Sequence, residues 1–276
     1  MNYRHAFHAG NFADVVKHLA LTAILLYLKK KDTPFAVIDS HAGRGLYDLS
    51  GDEARRTGEA ETGIERIRDL AARTPALVAY LEQIRALGPD AYPGSPLLAA
   101  KLKRPDDRLV ALEKHPEEQA VLAKTLLPWR KASAELADGY MRLPKLVPPL
   151  ERRGLVLVDP PYELPDEFNI VAEAVAAAFK RFATGIYLIW FPIKSAAAAN
   201  IFCGQILNTG AAKAVRIDID IGETDGLHKA GLVVLNPPFG FVREMQAALA
   251  EIAPHLGMNS KSANTRVTWL AGGESG

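Results

Sequence analysis

The chain has 276 residues, 49% of them hydrophobic, and a formal net charge of only +1. That is ample apolar material for one large α/β domain, and the neutral balance neither demands nor excludes a polyanionic partner. No run approaches the ~18 uninterrupted apolar residues of a membrane span, and the N-terminus lacks the apolar core of a secretory signal.

Asn11, with Asp14 three residues on, resembles an N-cap arrangement and opens a predicted helix over Asp14–Lys29. His5, His8 and His18 crowd this end without the carboxylate or thiolate spacing of a metal site, so no metal is expected. The first strand candidate, Phe35–Asp39, runs into Ser40-His41-Ala42-Gly43-Arg44-Gly45. A glycine pair after the first strand lets the backbone turn tightly and approach a ligand closely. The third glycine of a dinucleotide fingerprint is missing, which points to a ligand without a pyrophosphate.

The next strand candidate, Leu109–Glu113, comes far later than the ~30 residues of a compact βαβ unit allow. The excess holds helix-like stretches at Glu59–Ala72 and Pro75–Leu87, the second with Thr74 as cap and Pro75 in its first turn. Helical patterning resumes at Ser95-Pro96. Residues 48–93 are therefore read as a helical insertion into a main domain made of 1–47 and 94–276. Arg55, Arg56 and Arg66 make that insertion a candidate RNA-docking surface. Glu113 stands where a carboxylate can accept both hydroxyl hydrogens of a ribose. A third strand candidate, Ala134–Ala137, leads to Asp138-Gly139, an acid able to accept from an adenine amino group beside a glycine that makes room.

The fourth candidate, Leu155–Asp159, delivers the most informative motif, Asp159-Pro160-Pro161-Tyr162. Two prolines cannot continue a strand ladder and hold the following backbone rigid. A carboxylate, a carbonyl of fixed direction and an aromatic face then aim at one point. Such a set suits an exocyclic amine on a planar base, with two acceptors for its hydrogens and a ring to stack on. Further strands are expected at Ile186–Phe191, Ala214–Ile221 and Leu232–Asn236, and a short one at Arg266–Leu270 closes the chain. Helices Glu117–Leu126, Phe168–Lys180 and Val242–Ala253 alternate with them, the pattern of a mostly parallel sheet covered on both faces. Cys203, next to Ile201 and Phe202, reads as a buried inert thiol. As the sole cysteine it forbids an intrachain disulfide, and a reducing cytoplasm is the expected location. Asn236-Pro237-Pro238-Phe239 offers a second candidate amine site. Topology argues against it, because a seventh strand inserted antiparallel would carry Asn236 to the sheet edge away from the cofactor.

Longer blocks carry a family resemblance. Tyr3-Arg-His-Ala-Phe-His-Ala-Gly-Asn-Phe-Ala-Asp-Val-Val-Lys-His18, Asp39-Ser-His-Ala-Gly43, Tyr92-Pro-Gly-Ser-Pro96, Arg153–Tyr162 and Lys180–Tyr187 resemble the bacterial 23S rRNA adenine-N6 methyltransferases of the RlmJ (YhiR) type, over nearly the whole chain. The resemblance implies a class I, Rossmann-like fold with a seven-stranded, mostly parallel sheet. It implies S-adenosylmethionine as donor and one adenine of 23S rRNA as acceptor. Carried over by position, it places cofactor contacts at His18, His41, Ser95, Glu113, Asp138, Gly139 and Asp159. It makes Asp159 the catalytic residue and Tyr3 an rRNA-contacting residue; the chemistry of the motif itself adds Pro160 and Tyr162 to the catalytic set, with Tyr162 also contacting the base. A monomer is expected, since no strong apolar repeat suggests an obligate assembly. Two alternatives stay open: an amino-group methyltransferase for DNA adenine or a protein amide, and a non-catalytic rRNA-binding or assembly module.

Overall fold

The computed structural model describes residues 8–224, 226–259 and 261–273; Tyr3 lies outside the described residues. The first element of the described residues is α1 (Phe12–Leu28), where Asn11 caps the N-terminus by accepting from the Asp14 N–H at 2.9 Å. Almost every residue of α1 is buried, including Asp14, Lys17, His18 and Thr22. A helix buried on all sides has no outward face for its polar residues, so each must find a partner inside.

Next come β1 (Ala36–Asp39) and β2 (Leu46–Asp48), then α2 (Asp52–Thr57), α3 (Pro75–Arg85), β3 (Ala91–Pro93) and α4 (Ser95–Leu102). The main domain continues with β4 (Arg108–Glu113), α5 (Pro116–Leu126), β5 (Ala132–Leu136), α6 (Gly139–Leu146) and β6 (Gly154–Val158). It ends with α7 (Glu167–Arg181), β7 (Ile186–Pro192), α8 (Ala196–Leu207), β8 (Ala214–Asp220), β9 (Lys229–Leu235), α9 (Phe241–Leu256) and β10 (Asn264–Ala271).

The main sheet has the order β10-β8-β9-β7-β6-β1-β4-β5. β1 pairs in parallel with β4 on one side and β6 on the other, which places the reversal of strand order between β1 and β6. β9 runs antiparallel between β7 and β8, as the sequence topology requires. Among the described residues the expected seven strands are eight. β10 adds to the edge by pairing antiparallel with β8, because Thr268 and Trp269 continue a ladder that the short Arg266–Leu270 run only hinted at.

Side-chain alternation explains why helices cover both faces. Along β6, Leu155 and Leu157 join a cluster with Leu19 of α1 and Met245 of α9. Val156 and Val158 join the opposite cluster with Val175 of α7 and Phe202 of α8. A strand buried on both faces is continuously apolar, which is how Gly154–Val158 reads. Among the described residues no helix is long and apolar enough to cross a membrane.

Between β2 and β3, which pair antiparallel, the chain forms α2, two short 3₁₀ turns (Glu59–Thr62 and Ile64–Arg66) and α3. The helix expected over Glu59–Ala72 is broken because Gly63 sits where a Cβ would lie 2.1 Å from the Gly10 carbonyl oxygen. Thr74 precedes α3 as foreseen, but its hydroxyl goes to Glu251 instead of capping the helix. Ile64, Tyr80, Ile84 and Tyr92 share their core with α1.

Candidate active site

The carboxyl ends of β1, β4, β5 and β6 surround a cavity of about 320 Å³, a size typical of small-molecule sites. Six of the residues singled out from sequence line it: His41, Ser95, Glu113, Asp138, Gly139 and Asp159. Glu113, ending β4, accepts from the Gly43 N–H at 2.9 Å and from the His115 N–H at 2.7 Å. Each carboxylate oxygen keeps a lone pair for a ligand hydroxyl. Asp138 caps α6 through the Tyr140 and Met141 N–H groups, at 3.0 and 3.2 Å, and pairs with Lys114 Nζ at 2.8 Å. Burial opposes its charge, yet these partners hold its carboxyl below the usual aspartate range.

Gly139 is required by the packing of the protein itself. A Cβ there would lie 2.1 Å from the Ser40 carbonyl oxygen and 3.0 Å from His41 Cε1. The glycine thus lets α6 approach the β1 turn, and the floor of the cavity follows from that approach. The His41 ring lies 4.7 Å from the Tyr140 ring and hydrogen-bonds to Ser40 Oγ at 2.8 Å. Burial lowers its pKa to about 4, against the pull of Asp138, so the imidazole is neutral at pH 7.

Ser95 opens α4, but Gly94 occupies the cap position. The Ser95 hydroxyl instead donates to Asp39 Oδ2 at 2.6 Å, behind the cavity wall. Burial raises the Asp39 carboxyl to about 7 in spite of that bond, and neighbouring Asp159 adds to the rise. His18 lies in the core, fully buried. It hydrogen-bonds to Tyr92 Oη at 2.7 Å and stacks on that ring at 5.5 Å, away from the cavity wall.

A second cavity, about 280 Å³, adjoins the first. Asp159, Pro161 and Lys17 line both, whereas Pro160, Tyr162 and Trp190 line only the second. Tyr162 has φ of +52°, a left-handed conformation that is costly for an aromatic residue and is found where surrounding structure enforces it. Here the Tyr162 hydroxyl donates to the Trp190 carbonyl at 2.8 Å, and its ring packs against Phe168 at 4.8 Å and Trp190 at 5.6 Å.

Lys17 is the residue that sequence reasoning passed over. Its Nζ donates to Asp14 Oδ1 at 2.6 Å and to Asp159 Oδ2, across 142 positions of chain. Burial works against the ammonium, but Asp14 and Asp159 outweigh it and hold its pKa above the ordinary lysine value. The available signal was a pair of opposite charges three apart inside an otherwise apolar helix. Glu167 was passed over as well: nearly buried on the wall of the first cavity, it accepts from Tyr140 Oη at 2.7 Å and from the Leu164 N–H at 3.0 Å.

The second motif, Asn236-Pro-Pro-Phe, stands at the opposite edge of the sheet. Asn236 Nδ2 donates to the Ala183 and Gly185 carbonyls, each at 2.8 Å, just before β7 begins. It is a strand-ending turn. Cys203 is buried, which raises its pKa to about 11 and leaves it an inert thiol. Among the described residues no group of three or more His, Cys, Asp or Glu is arranged to hold a metal.

The first cavity is acidic: Glu113, Glu118, Asp138, Asp159 and Glu167 line it against Lys17 and Lys114. That balance disfavours a pyrophosphate and accommodates a ligand carrying positive charge. Residues 32–271 match the family described as Ribosomal RNA large subunit methyltransferase D, RlmJ. The chain is 36% identical to Ribosomal RNA large subunit methyltransferase J of Escherichia coli (strain K12), over 98% of this chain and 99% of that protein. It is 37% identical to the protein of the same name from Haemophilus influenzae, over 93% and 92% respectively. The crystal structure of protein LPL1258 from Legionella pneumophila str. Philadelphia 1 superposes with a TM-score of 0.88 at 32% identity, covering 97% of this chain and 99% of that one.

Proposed function

The chain belongs to the RlmJ family of large-subunit ribosomal RNA methyltransferases, and from that membership we propose that it methylates the N6 amino nitrogen of one adenine in 23S rRNA. The observation that carries the reading is the position of Asp159, on the wall shared by two adjoining cavities. One cavity takes the methyl donor, the other the acceptor base.

S-adenosylmethionine fits the first cavity by its chemistry, a cation with ribose and adenine but no phosphate, and when bound it supplies an electrophilic methyl group. Glu113 would accept from the ribose hydroxyls, and Asp138 would accept from the adenine amine. Neutral His41 packs beside them. His18 is kept as a cofactor-side residue that acts from behind the wall, through Tyr92 of the β3 strand. Ser95 orders Asp39 under the same floor.

An adenine amino nitrogen is a weak nucleophile because its lone pair is delocalised into the ring. Asp159 and the Pro160 carbonyl accept its two hydrogens, which turns the lone pair out of the ring plane. The Tyr162 ring stacks on the base, a contact of about 1–3 kcal/mol in single-strand sites. Lys17, donating to Asp159, limits the directions that carboxylate can take. Alignment of this kind supplies much of the acceleration when the donor is already charged. The base must leave its stack to enter, which is least costly in unpaired RNA. The segment 48–93 is the insertion that guides the RNA, with exposed Arg56 as a contact; the Arg55 side chain lies outside the described residues. Tyr3 is kept as an rRNA contact on the resemblance alone.

The test is transfer from labelled S-adenosylmethionine to unmodified 23S rRNA, mapped by nuclease digestion and mass spectrometry. A single N6-methyladenine is expected, and Asp159→Ala abolishes it while leaving cofactor affinity largely intact. Transfer to DNA or protein but not to rRNA overturns the substrate; an active Asp159→Ala protein overturns the mechanism.

A further inference from the structure

Asp159 is joined to the insertion by an unbroken run of polar contacts. Glu59, in the first 3₁₀ turn, accepts from Asn11 Nδ2 at 2.9 Å and hydrogen-bonds to His8 Nδ1 at 2.7 Å. Asn11 Oδ1 accepts from the Asp14 N–H at 2.9 Å. Asp14 Oδ2 accepts from the Gly10 N–H at 2.9 Å, and the Gly10 carbonyl accepts from the Ile64 N–H at 2.8 Å. Asp14 Oδ1 takes Lys17 Nζ, which reaches on to Asp159. Asp14 is only 2% exposed and lines the acceptor cavity beside Glu59. Neither carboxylate has a part in the transfer step described above.

We propose that Asp14 is a positioning residue of the acceptor site: it fixes Lys17 Nζ, and thereby the direction of the Asp159 carboxylate, while Asn11 and Glu59 tie that setting to the insertion. The inference rests on the methyltransferase reading given above. A lysine ammonium sits on a flexible four-carbon stem with rotatable donors. Held by one carboxylate, it can swing; held between two, it cannot. Without the Asp14 charge, Lys17 turns wholly to Asp159 and occupies lone pairs that the incoming amine needs. The charge of Lys17 also depends on Asp14. The ionisable groups facing Lys17 are Asp14 from α1, Asp159 from the end of β6 and Asp39 from the end of β1. Losing the first leaves burial less opposed, and the lysine becomes able to lose its proton in the alkaline range.

The experiment is Asp14→Asn in the full chain, a change that keeps the side-chain shape and an acceptor for the Gly10 N–H. With unmodified 23S rRNA and S-adenosylmethionine, kcat falls on the order of tenfold or more, as misdirected catalytic groups do. The KM for RNA and the Kd for the cofactor stay within about twofold, the pattern of a loss confined to the transition state. The kcat profile gains an alkaline descending limb absent from the parent protein. A kcat that does not fall, a loss carried by KM or Kd, or a fall without the alkaline limb overturns the proposal, because a merely structural loop would give one of these. Titration of Lys17 Nζ by ¹⁵N-detected NMR tests the same coupling without turnover. A lower pKa in Asp14→Asn than in the parent is required, and an unchanged one overturns the proposal. Should the parent protein methylate no RNA, the functional reading fails by itself, and the NMR titration still decides whether Asp14 governs Lys17.

Discussion

Replacing Lys17 with methionine removes an ammonium from between two carboxylates while nearly conserving side-chain length. The Lys17 side chain is 4% exposed, Asp14 2% and Asp159 13%. Breaking a buried ion network by deleting one member costs about 3–5 kcal/mol, because the remaining charges stay buried without compensation. In a domain of this size about 2–4 °C of Tm accompanies each kcal/mol, so a loss of roughly 6–20 °C is expected near pH 8. The pH dependence has a definite sign. In the variant, Asp39, which burial raises to about 7 against the pull of the Lys17 charge, loses that counter-charge and its folded pKa rises further, so the folded state binds the extra proton. Stability then rises as pH falls, and the deficit shrinks on going from pH 8 to pH 5. In the parent protein Lys17 has a raised folded pKa; its contribution is fully present below the ordinary lysine pKa of ~10.4 and does not vary over this window. Paired thermal melts across pH 5–8 measure the effect. A deficit under ~2 °C at pH 8, or one that stays constant or grows toward pH 5, would refute the assignment of Lys17 as the counter-ion of a buried acidic cluster.

Gly139→Ala forces a Cβ against the Ser40 carbonyl, and the overpacking should cost about 1–3 kcal/mol in a denaturant melt. Because that carbonyl belongs to the cavity floor, cofactor affinity by calorimetry should fall with it, and a variant binding like the parent counts against the site. His41, lowered to about 4, binds its proton more readily in the unfolded state, so stability is lost as pH drops from ~6.5 toward 4. Urea midpoints of His41→Asn should show a shallower decline over that interval; an unchanged slope rejects the burial of this ring as its cause. Arg66 donates to the Gly257 carbonyl at 3.0 Å and to the Glu61 carbonyl at 3.0 Å, which makes it a tether of the insertion. Arg66→Ala should therefore lower Tm without altering the salt dependence of RNA binding, whereas Arg56→Ala should reduce that slope by about one unit. The reverse pattern would exchange the two roles.

The strands were legible because those buried on both faces are written as continuous apolar runs ending in an acid. Gly154–Val158 followed by Asp159 is the plainest case, and the observed β6 agrees with it. What escaped depended on contacts distant in sequence. α6 and α8 were not foreseen: α6 carries Pro144 near its end, and α8 starts at Ala196, capped by Ser195, directly after Pro192-Ile193-Lys194. The Glu59–Ala72 helix failed at Gly63, whose conformation answers to Gly10, 53 positions earlier. Local periodicity registers no such constraint.

The site divides along the same line. Choosing Asp159 over Asn236 needed only strand order, since the two motifs share their proline pair and their position after an apolar run. The fold puts them on opposite edges of one sheet, with Asn236 satisfied by the Ala183 and Gly185 carbonyls and Asp159 facing two cavities. Lys17 called for a different inference. A charged residue within a run of apolar ones looks like a solvated position until the helix is seen to have no solvated side. Once α1 is recognised as buried all round, Asp14 and Lys17 must answer each other, but one carboxylate and one ammonium already balance. Only the arrival of Asp159 makes the lysine a shared partner, and with it the N-terminal helix becomes part of the wall of the second cavity instead of a packing element beside it.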